Sequence, residues 1–472
     1  SWRLLPDLTY MANYRLHGIE TFGYHIVNLL IHLTNGLLVY ALTIQLFKTP
    51  RLVNSAVTAK ANKIAFLAAI LFTLHPLQTQ AVSYIAQRYT SMAALFYIGA
   101  VCLYILFRKH QSGMPRKWIY YASFLLSMVL AFRCKENAAT LPFAILLVEI
   151  IFFSGSLKKR LLYFSPFIVG ALVLVGYIVA NDFTLPVQTR IDTTMSRTDY
   201  LLTQFRVIVT YLRLIILPFG QNLDYDYPLY SSLSQPAVFA SLVLHLGVLA
   251  GAIFSLIKAE NRPQLRLFAF GIFWFYLALS IESSILPIVD VIYEHRVYLP
   301  AVGLFLVVAT GIHFIPDHFI KRSTVTAGII VLALALGATT YNRNKVWQSS
   351  FALWSDVASK SPNKARPLNN LGVEYFNRGE YETALGYYLK AIETNRNYMK
   401  AYFNAGEAHQ AMGNLQQAII YYRIFVSAWP DYPETYKNLA EIYSQLGEEA
   451  QAEQYLIIHN RLNFGVLPNR YR

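Results

Sequence analysis

Residues 24–47 read YHIVNLLIHLTNGLLVYALTIQLF, 24 positions without an Asp, Glu, Lys or Arg. A helix needs about 20 mostly apolar residues to cross a bilayer, and this run has them. Further apolar runs lie at 64–83, 90–107, 118–133, 138–153, 161–180, 237–257, 267–287, 297–315 and 323–341. Several are short, which predicts packed, tilted or broken helices. The stretch 200–218 carries Gln204, Arg206 and Arg213, so it reads either as a span or as a helix lying in the interface. The whole chain is 55% hydrophobic and 14% charged, against about 25% charged residues in soluble domains. Its mean hydropathy is +0.37. A chain wholly in water is excluded.

The net charge is +14. Nucleic acid is one reading of so basic a chain, but the cations sit in short loops beside the apolar runs. They form the groups Lys48, Arg51, Lys60 and Lys63; Arg108, Lys109, Arg116 and Lys117; Lys158, Lys159 and Arg160; Lys258, Arg262 and Arg266; and Lys321 with Arg322. Positive loops stay in the cytoplasm. The loops 1–22, 84–89, 134–137, 181–236 and 288–296 then face the other side. The parity closes only if 200–218 does not cross, and it puts the tail after residue 342 outside the cytoplasm. Cys102 and Cys134 give neither a metal spacing nor a disulfide framework. With the short loops, that leans toward a bacterial inner membrane over the endoplasmic reticulum.

From about residue 365 the pattern changes to a 34-residue period. Gly379, Gly413 and Gly447 recur at it, as do Ala384, Ala418 and Ala452, and Tyr387, Tyr421 and Tyr455. Leu371-Gly372, Ala405-Gly406 and Leu439-Ala440 share one slot. This is the tetratricopeptide signature, two helices per repeat with small residues at the close contacts. About three repeats fill 365–472, after a linker at 348–364 and a membrane domain at 1–347. Tyr-rich faces could stack on bases, but these tyrosines occupy packing positions, so no nucleic-acid partner is expected. The module reads as a platform, or as a groove for an extended peptide or partner protein.

The loops opposite the basic ones hold ionisable residues that mark a candidate site. His75-Pro76 ends or kinks a helix, and Arg88 starts the next span. Lys135-Glu136-Asn137 lies between two spans. Glu294-His295-Arg296 opens another helix. Arg88, Arg296 and Lys135 with helix N-termini on one side make a phosphate site, suited to a lipid-linked phosphate. Helix capping and interfacial anchoring are the alternatives for the arginines. Lys135 and Glu136 read as donor ligands or as an internal ion pair. Glu294 reads as a site residue or a loop clamp, and His75 as a site residue or a cap. His295 is a further candidate. Asp224 and Asp226 could take a divalent cation or sugar hydroxyls, with a plain turn as the alternative. No metal cluster is expected. Arg190, Asp192 and Arg197 lie in a polar stretch that could form a lid.

These segments together carry a resemblance. Trp2-Arg3-Leu4-Leu5 through Asn13-Tyr14, Gly23-Tyr24-His25-Ile26-Val27-Asn28, His75-Pro76 with Gln80-Ala81-Val82, Cys134-Lys135-Glu136, Leu217-Pro218 with Asn222-Leu223-Asp224-Tyr225, and Glu294 through Pro300 occur in order. The chain resembles the transmembrane-and-TPR protein family, and through it the GT-C superfamily of polytopic glycosyltransferases. The expected fold is all-α, a polytopic transmembrane helical bundle followed by a TPR solenoid. The resemblance implies transfer of sugar from a polyprenyl-phosphate carrier to Ser or Thr of an exported protein, which the TPR tail recruits. It implies a catalytic acid in the first outer loop after a first span, and both are expected upstream of residue 1. A non-catalytic membrane scaffold that docks a partner through its repeats is the alternative. A lipid flippase would need inverted repeats and charges at the midplane, whereas the charges of this chain cluster at one face.

Overall fold

The computed structural model describes residues 3–110, 115–155, 195–316, 318 and 320–463. The run expected at 161–180, the cations Lys158, Lys159 and Arg160, and the polar residues Arg190 and Asp192 lie outside the described residues. The chain divides into two compact units, one of 1–223 with 227–345, the other of 224–226 with 346–472.

The first unit is a bundle of α1 (Leu4–His17), α2 (Thr21–Phe47), α3 (Ala61–Leu74), α4 (Thr79–Ser83), α5 (Arg88–Lys109), α6 (Pro115–Phe132), α7 (Leu141–Phe152), α8 (Arg197–Ile216), α9 (Pro236–Lys258), α10 (Leu265–Leu279), α11 (Ala301–His313) and α12 (Arg322–Asn344). Among the described residues, five helical stretches are long and apolar enough to cross a membrane: Thr21–Phe47, Ala56–Leu74, Ile85–Lys109, Pro236–Lys258 and Arg322–Trp347. Leu265–Leu279 and Ala301–His313 are shorter apolar helices. The protein is a polytopic, all-helical membrane protein.

The run expected as one span at 64–83 is broken at His75-Pro76, and the break is sealed. Pro76 has no N–H, and the amide of Leu77 turns to His75 Nδ1 at 3.2 Å. The Thr73 carbonyl, thereby released, accepts from His32 Nε2 at 3.1 Å. The Leu74 carbonyl accepts from Thr340 Oγ1 at 2.6 Å. Unpaired backbone groups are costly in hydrocarbon, so a mid-bundle break persists only with such partners. His32 Nδ1 then accepts from Tyr298 Oη at 2.8 Å, and Asn35 Nδ2 donates to the same hydroxyl at 3.0 Å. One buried network thus ties α2, α3 and the entry to α11.

Cations close the helix ends on one face. Arg51 Nη1 donates to Ile150 O at 2.9 Å and Arg266 Nη1 to Ile151 O at 3.1 Å, both at the C-terminal end of α7. Arg108 pairs with the buried Glu149 of the same turn. Lys60 and Arg322 donate to His313 O, the end of α11, at 2.8 and 3.3 Å. Cations are favourable at helix C-termini, where carbonyls lack partners. The basic loops after α2, α5, α9 and α11 therefore share a face.

α8, the stretch whose sequence left two readings open, runs along the opposite face. Tyr200 Oη donates to Glu282 O at 2.8 Å, Gln204 Nε2 to Val291 O at 2.9 Å, and Tyr211 Oη to Tyr293 O at 3.0 Å. Near its end, Ile215 O lies 3.0 Å from His75 Nε2. All four partners belong to loops of that face. Tyr200, Gln204 and Tyr211 find partners in those loops, which is why the composition of α8 is not that of a span.

α10 and α11 meet with their backbones touching. A Cβ built on Gly303 would fall 2.2 Å from Gly271 O, and one on Gly271 would fall 2.3 Å from Gly303 O. Small residues permit such close crossings in membranes. α10 ends at Leu279, earlier than the expected run to 287, so Glu282 lies in a loop.

The second unit comprises α13 (Ser350–Lys360), α14 (Ala365–Phe376), α15 (Tyr381–Thr394), α16 (Met399–Ala411), α17 (Leu415–Ala428), α18 (Pro433–Gln445) and α19 (Glu449–Asn463). The stretch expected as a linker at 348–364 is therefore mostly helix. Phe351 and Trp354 of α13 pack against the apolar cluster containing Ala365, Leu368 and Leu371. α14 to α19 form three helix pairs. Gly379, Gly413 and Gly447, at φ of 79°, 76° and 75°, turn the chain within each pair, a backbone that favours glycine. In the first two pairs a tyrosine ring lies flat on a glycine. A Cβ on Gly372 or Gly406 would sit 2.6 Å from Cε1 of Tyr388 or Tyr422. The third pair has Ala440 at this slot and Leu456 at the position equivalent to Tyr422, so the methyl and the smaller partner change together.

Candidate functional site

The face opposite the cationic helix ends gathers His75, Arg88, Lys135, Glu136, Glu294, His295 and Arg296. His75 accepts from the Leu77 amide through Nδ1, so Nε2 carries the proton and donates to Ile215 O. It caps the broken helix and fastens α8. Glu294 is buried and accepts from the Asn222 amide at 2.6 Å and from Gln221 Nε2 at 3.0 Å. Gln221 also donates to Pro76 O at 2.9 Å. The His295 amide donates to Gln80 Oε1 at 2.7 Å, and its ring stacks on Tyr293 with centroids 5.1 Å apart. Three segments distant in sequence, 75–80, 215–222 and 293–295, thus lock together.

The two arginines are deeply engaged. Arg88 is fully buried. Its guanidinium donates to Asn28 Oδ1 at 2.7 Å, Thr9 Oγ1 at 3.1 Å, Asn13 Oδ1 at 2.6 Å and Tyr24 O at 3.1 Å. It lies 4.5 Å from the centroid of the Tyr10 ring. Arg88 therefore clamps α1 and α2 onto α5. Arg296 donates to Val291 O at 3.0 Å and Asp290 O at 2.7 Å, which shapes the 290–296 turn.

Lys135 has a different environment. Its Nζ pairs with Glu282 Oε1 at 2.7 Å and donates to Thr90 Oγ1 at 3.2 Å. An ammonium has three N–H donors, so one is left over. Glu282 Oε2, and Asn137 Oδ1 and Ser283 Oγ on residues within two positions of the ion pair, are buried without a hydrogen-bond partner among the described residues, as are Gln78 Nε2 and Gln80 Nε2 elsewhere on this face. Buried polar groups are normally paired, so these atoms mark unused binding capacity on this face. Glu136, the neighbour of Lys135, turns instead to Arg3, whose Nη2 reaches both carboxylate oxygens at 2.6 and 2.8 Å. Burial raises the Glu136 carboxyl, but the charge and hydrogen bond of Arg3 outweigh it and hold the group below the ordinary glutamate range. Tyr89 Oη donates to Asp7 Oδ1 at 2.6 Å beside this pair.

Glu282 was not legible as a site residue, because it sits inside an apolar run and its partner is far away in sequence. Asp224 and Asp226 belong to the other unit. Asp224 is buried and pairs with Lys364 and Arg366, and Ser361 Oγ donates to its carbonyl at 2.7 Å. The Asp226 amide donates to Ser361 Oγ at 3.0 Å. Two cations thus take up the Asp224 carboxylate that sequence offered to a divalent cation or sugar. Arg197 opens α8, and Ser196 Oγ caps that helix at the Asp199 amide. Among the described residues, no group of three or more His, Cys, Asp or Glu could hold a metal ion.

Known proteins add to this. Tetratricopeptide-repeat family models match residues 365–398 and 403–456. Protein O-mannosyl-transferase Tmtc3 of Drosophila melanogaster is 25% identical over 83% of this chain and 48% of its own length. Protein O-mannosyl-transferase F38B6.6 of Caenorhabditis elegans is 27% identical over 84% of this chain and 54% of its own. Protein O-mannosyl-transferase TMTC3 of Homo sapiens is 24% identical over 83% of this chain and 44% of its own. The chain spans about half the length of these relatives. Across both its membrane helices and its tetratricopeptide repeats, the chain is similar to the transmembrane-and-TPR protein O-mannosyl-transferases.

Proposed function

We propose that this protein takes part in protein O-glycosylation, as a membrane glycosyltransferase that moves mannose from a polyprenyl-phosphate carrier to Ser or Thr of a protein acceptor. The sugar follows the names of the relatives. The observation that carries the site is Lys135, an ammonium with an N–H to spare amid unpartnered buried polar atoms. A sugar leaving from a phosphate needs its developing negative charge balanced, and a preorganised cation in a low-dielectric site does that well. We assign the carrier phosphate to Lys135. Arg88 and Arg296 act as the frame that holds the surrounding loops, and Glu282 orients Lys135. Glu294, His75, His295 and Gln80 fix the loop that closes the face. The acceptor hydroxyl requires a general base; Asp7 and Glu136 have Tyr89 and Arg3 as partners, so neither is assigned that role.

The site face is taken as extracytoplasmic, by the positive-inside rule applied to the cationic helix ends. The TPR tail, on the same side, would present the acceptor. The short loops favour a bacterial inner membrane, whereas the relatives named above are animal proteins. The test is transfer of labelled mannose from polyprenyl-phosphate mannose to a Ser/Thr peptide, by the protein in proteoliposomes. Lys135→Ala is expected to lower the rate at least about tenfold, the scale of one lost charge-assisted contact. An unchanged rate would contradict the assignment.

A further inference from the structure

α1 turns its polar side chains inward, with Asp7 on Tyr89 and with Thr9 and Asn13 on Arg88, beside Pro6 and Leu5. The face turned out is apolar: Leu4, Leu8, Met11 and Leu16 are 44%, 48%, 54% and 78% exposed. In water this arrangement exposes what should be buried. Beside a bilayer it is the expected one, as an interfacial helix sinks its apolar face at the headgroup boundary. The next helix in the chain, α2, is long and apolar enough to span and also exposes Ile26, Leu29, Leu30, Leu33 and Leu37.

Two open cavities lie along this face. One of about 430 Å³ is lined by Leu8, Met11, Ala12, Arg15 and Leu16. The other, of about 380 Å³, is lined by Tyr10, Met11, Tyr14, Arg15 and Tyr24. They share Met11 and the exposed Arg15. Apolar side chains beside tyrosines and one guanidinium suit a lipid, with its chain on the former and its phosphate on the latter.

We infer that the outer face of α1 is a docking surface for a phospholipid of the surrounding leaflet. Its acyl chain lies along Leu8, Met11 and Leu16, and its phosphate on Arg15. This rests on the membrane architecture and not on glycosyl transfer. The full chain is reconstituted in liposomes with single variants Leu8→Cys, Met11→Cys or Leu16→Cys, spin-labelled. The wild type serves as the blank, since Cys102 and Cys134 are buried. Gln416→Cys, exposed in the tail, is the aqueous reference. Labels at 8, 11 and 16 are expected to favour oxygen over a water-soluble nickel complex, and the label at 416 the reverse. A nickel preference at 8 and 11 would overturn the proposal. In a second arm, a photoactivatable phosphatidylglycerol is crosslinked to the chain. Arg15→Gln is expected to lose most of the label on α1, several-fold or more, and Arg15→Lys to keep it. Equal labelling of all three would refute the phosphate contact. Displacement of the label by equimolar polyprenyl phosphate would refute the phospholipid as occupant.

Discussion

Arg88 and Lys135 are both buried cations of the same face, and their neighbours separate their roles. Arg88 makes four hydrogen bonds to three side chains and one carbonyl. Removing it would take the donor from the buried Oδ1 atoms of Asn13 and Asn28, a costly loss inside the bundle. Arg88→Ala is expected to destabilise the folded protein by about 3 kcal/mol, read as a lower thermal midpoint in detergent. Arg88→Lys should recover little, because an ammonium lacks the planar fork. An unchanged midpoint in Arg88→Ala would contradict the clamp. Glu407, on α16, makes a pH prediction. Burial raises its carboxyl to about 7, against about 4.3 in an unfolded chain. The folded state therefore holds more protons between those values, so stability is full below about pH 4.3 and falls as pH rises through 7. The urea midpoint of the tail, followed by proteolysis of the full chain, should decrease from pH 5 to pH 8. Glu407→Gln should flatten that slope, and an equal slope in both proteins would refute the shift.

The helical elements were legible where period and punctuation are local. The run at 24–47 became α2, and the 34-residue recurrence became three helix pairs. The break at His75-Pro76 was visible from proline chemistry alone. What could not be read depends on partners far away in the chain. The polarity of α8 is answered by Glu282, Val291 and Tyr293. Asp224 meets Lys364 and Arg366, about 140 positions later. Glu282 emerged only because α10 ends at Leu279. Within the repeats, the Gly406–Tyr422 contact predicts its own rescue. Gly406→Ala should cost about 1–3 kcal/mol by overpacking. Adding Tyr422→Leu should recover part of that loss, since the third repeat already carries Ala440 and Leu456. A double-mutant cycle on tail unfolding measures the coupling; strict additivity would contradict the packing account.

For the whole molecule, the two faces of the membrane unit differ in kind. One carries Arg51, Lys60, Arg266 and Arg322 on helix C-terminal carbonyls. The other carries the candidate site. Asn54→Cys on the basic face and Ser234→Cys in the loop before α9 are therefore predicted to react with an impermeant maleimide from opposite sides of sealed vesicles. Gln416→Cys in the tail should follow Ser234→Cys. Labelling of Asn54→Cys and Ser234→Cys from one side would break the topology.

The most direct measurement is the affinity of the purified protein for polyprenyl-phosphate mannose, in wild type, Lys135→Ala and Lys135→Arg. The phosphate assignment predicts saturable binding that weakens about tenfold or more in Lys135→Ala and recovers in part in Lys135→Arg. Equal affinity in all three, or no binding by the wild type, would contradict it.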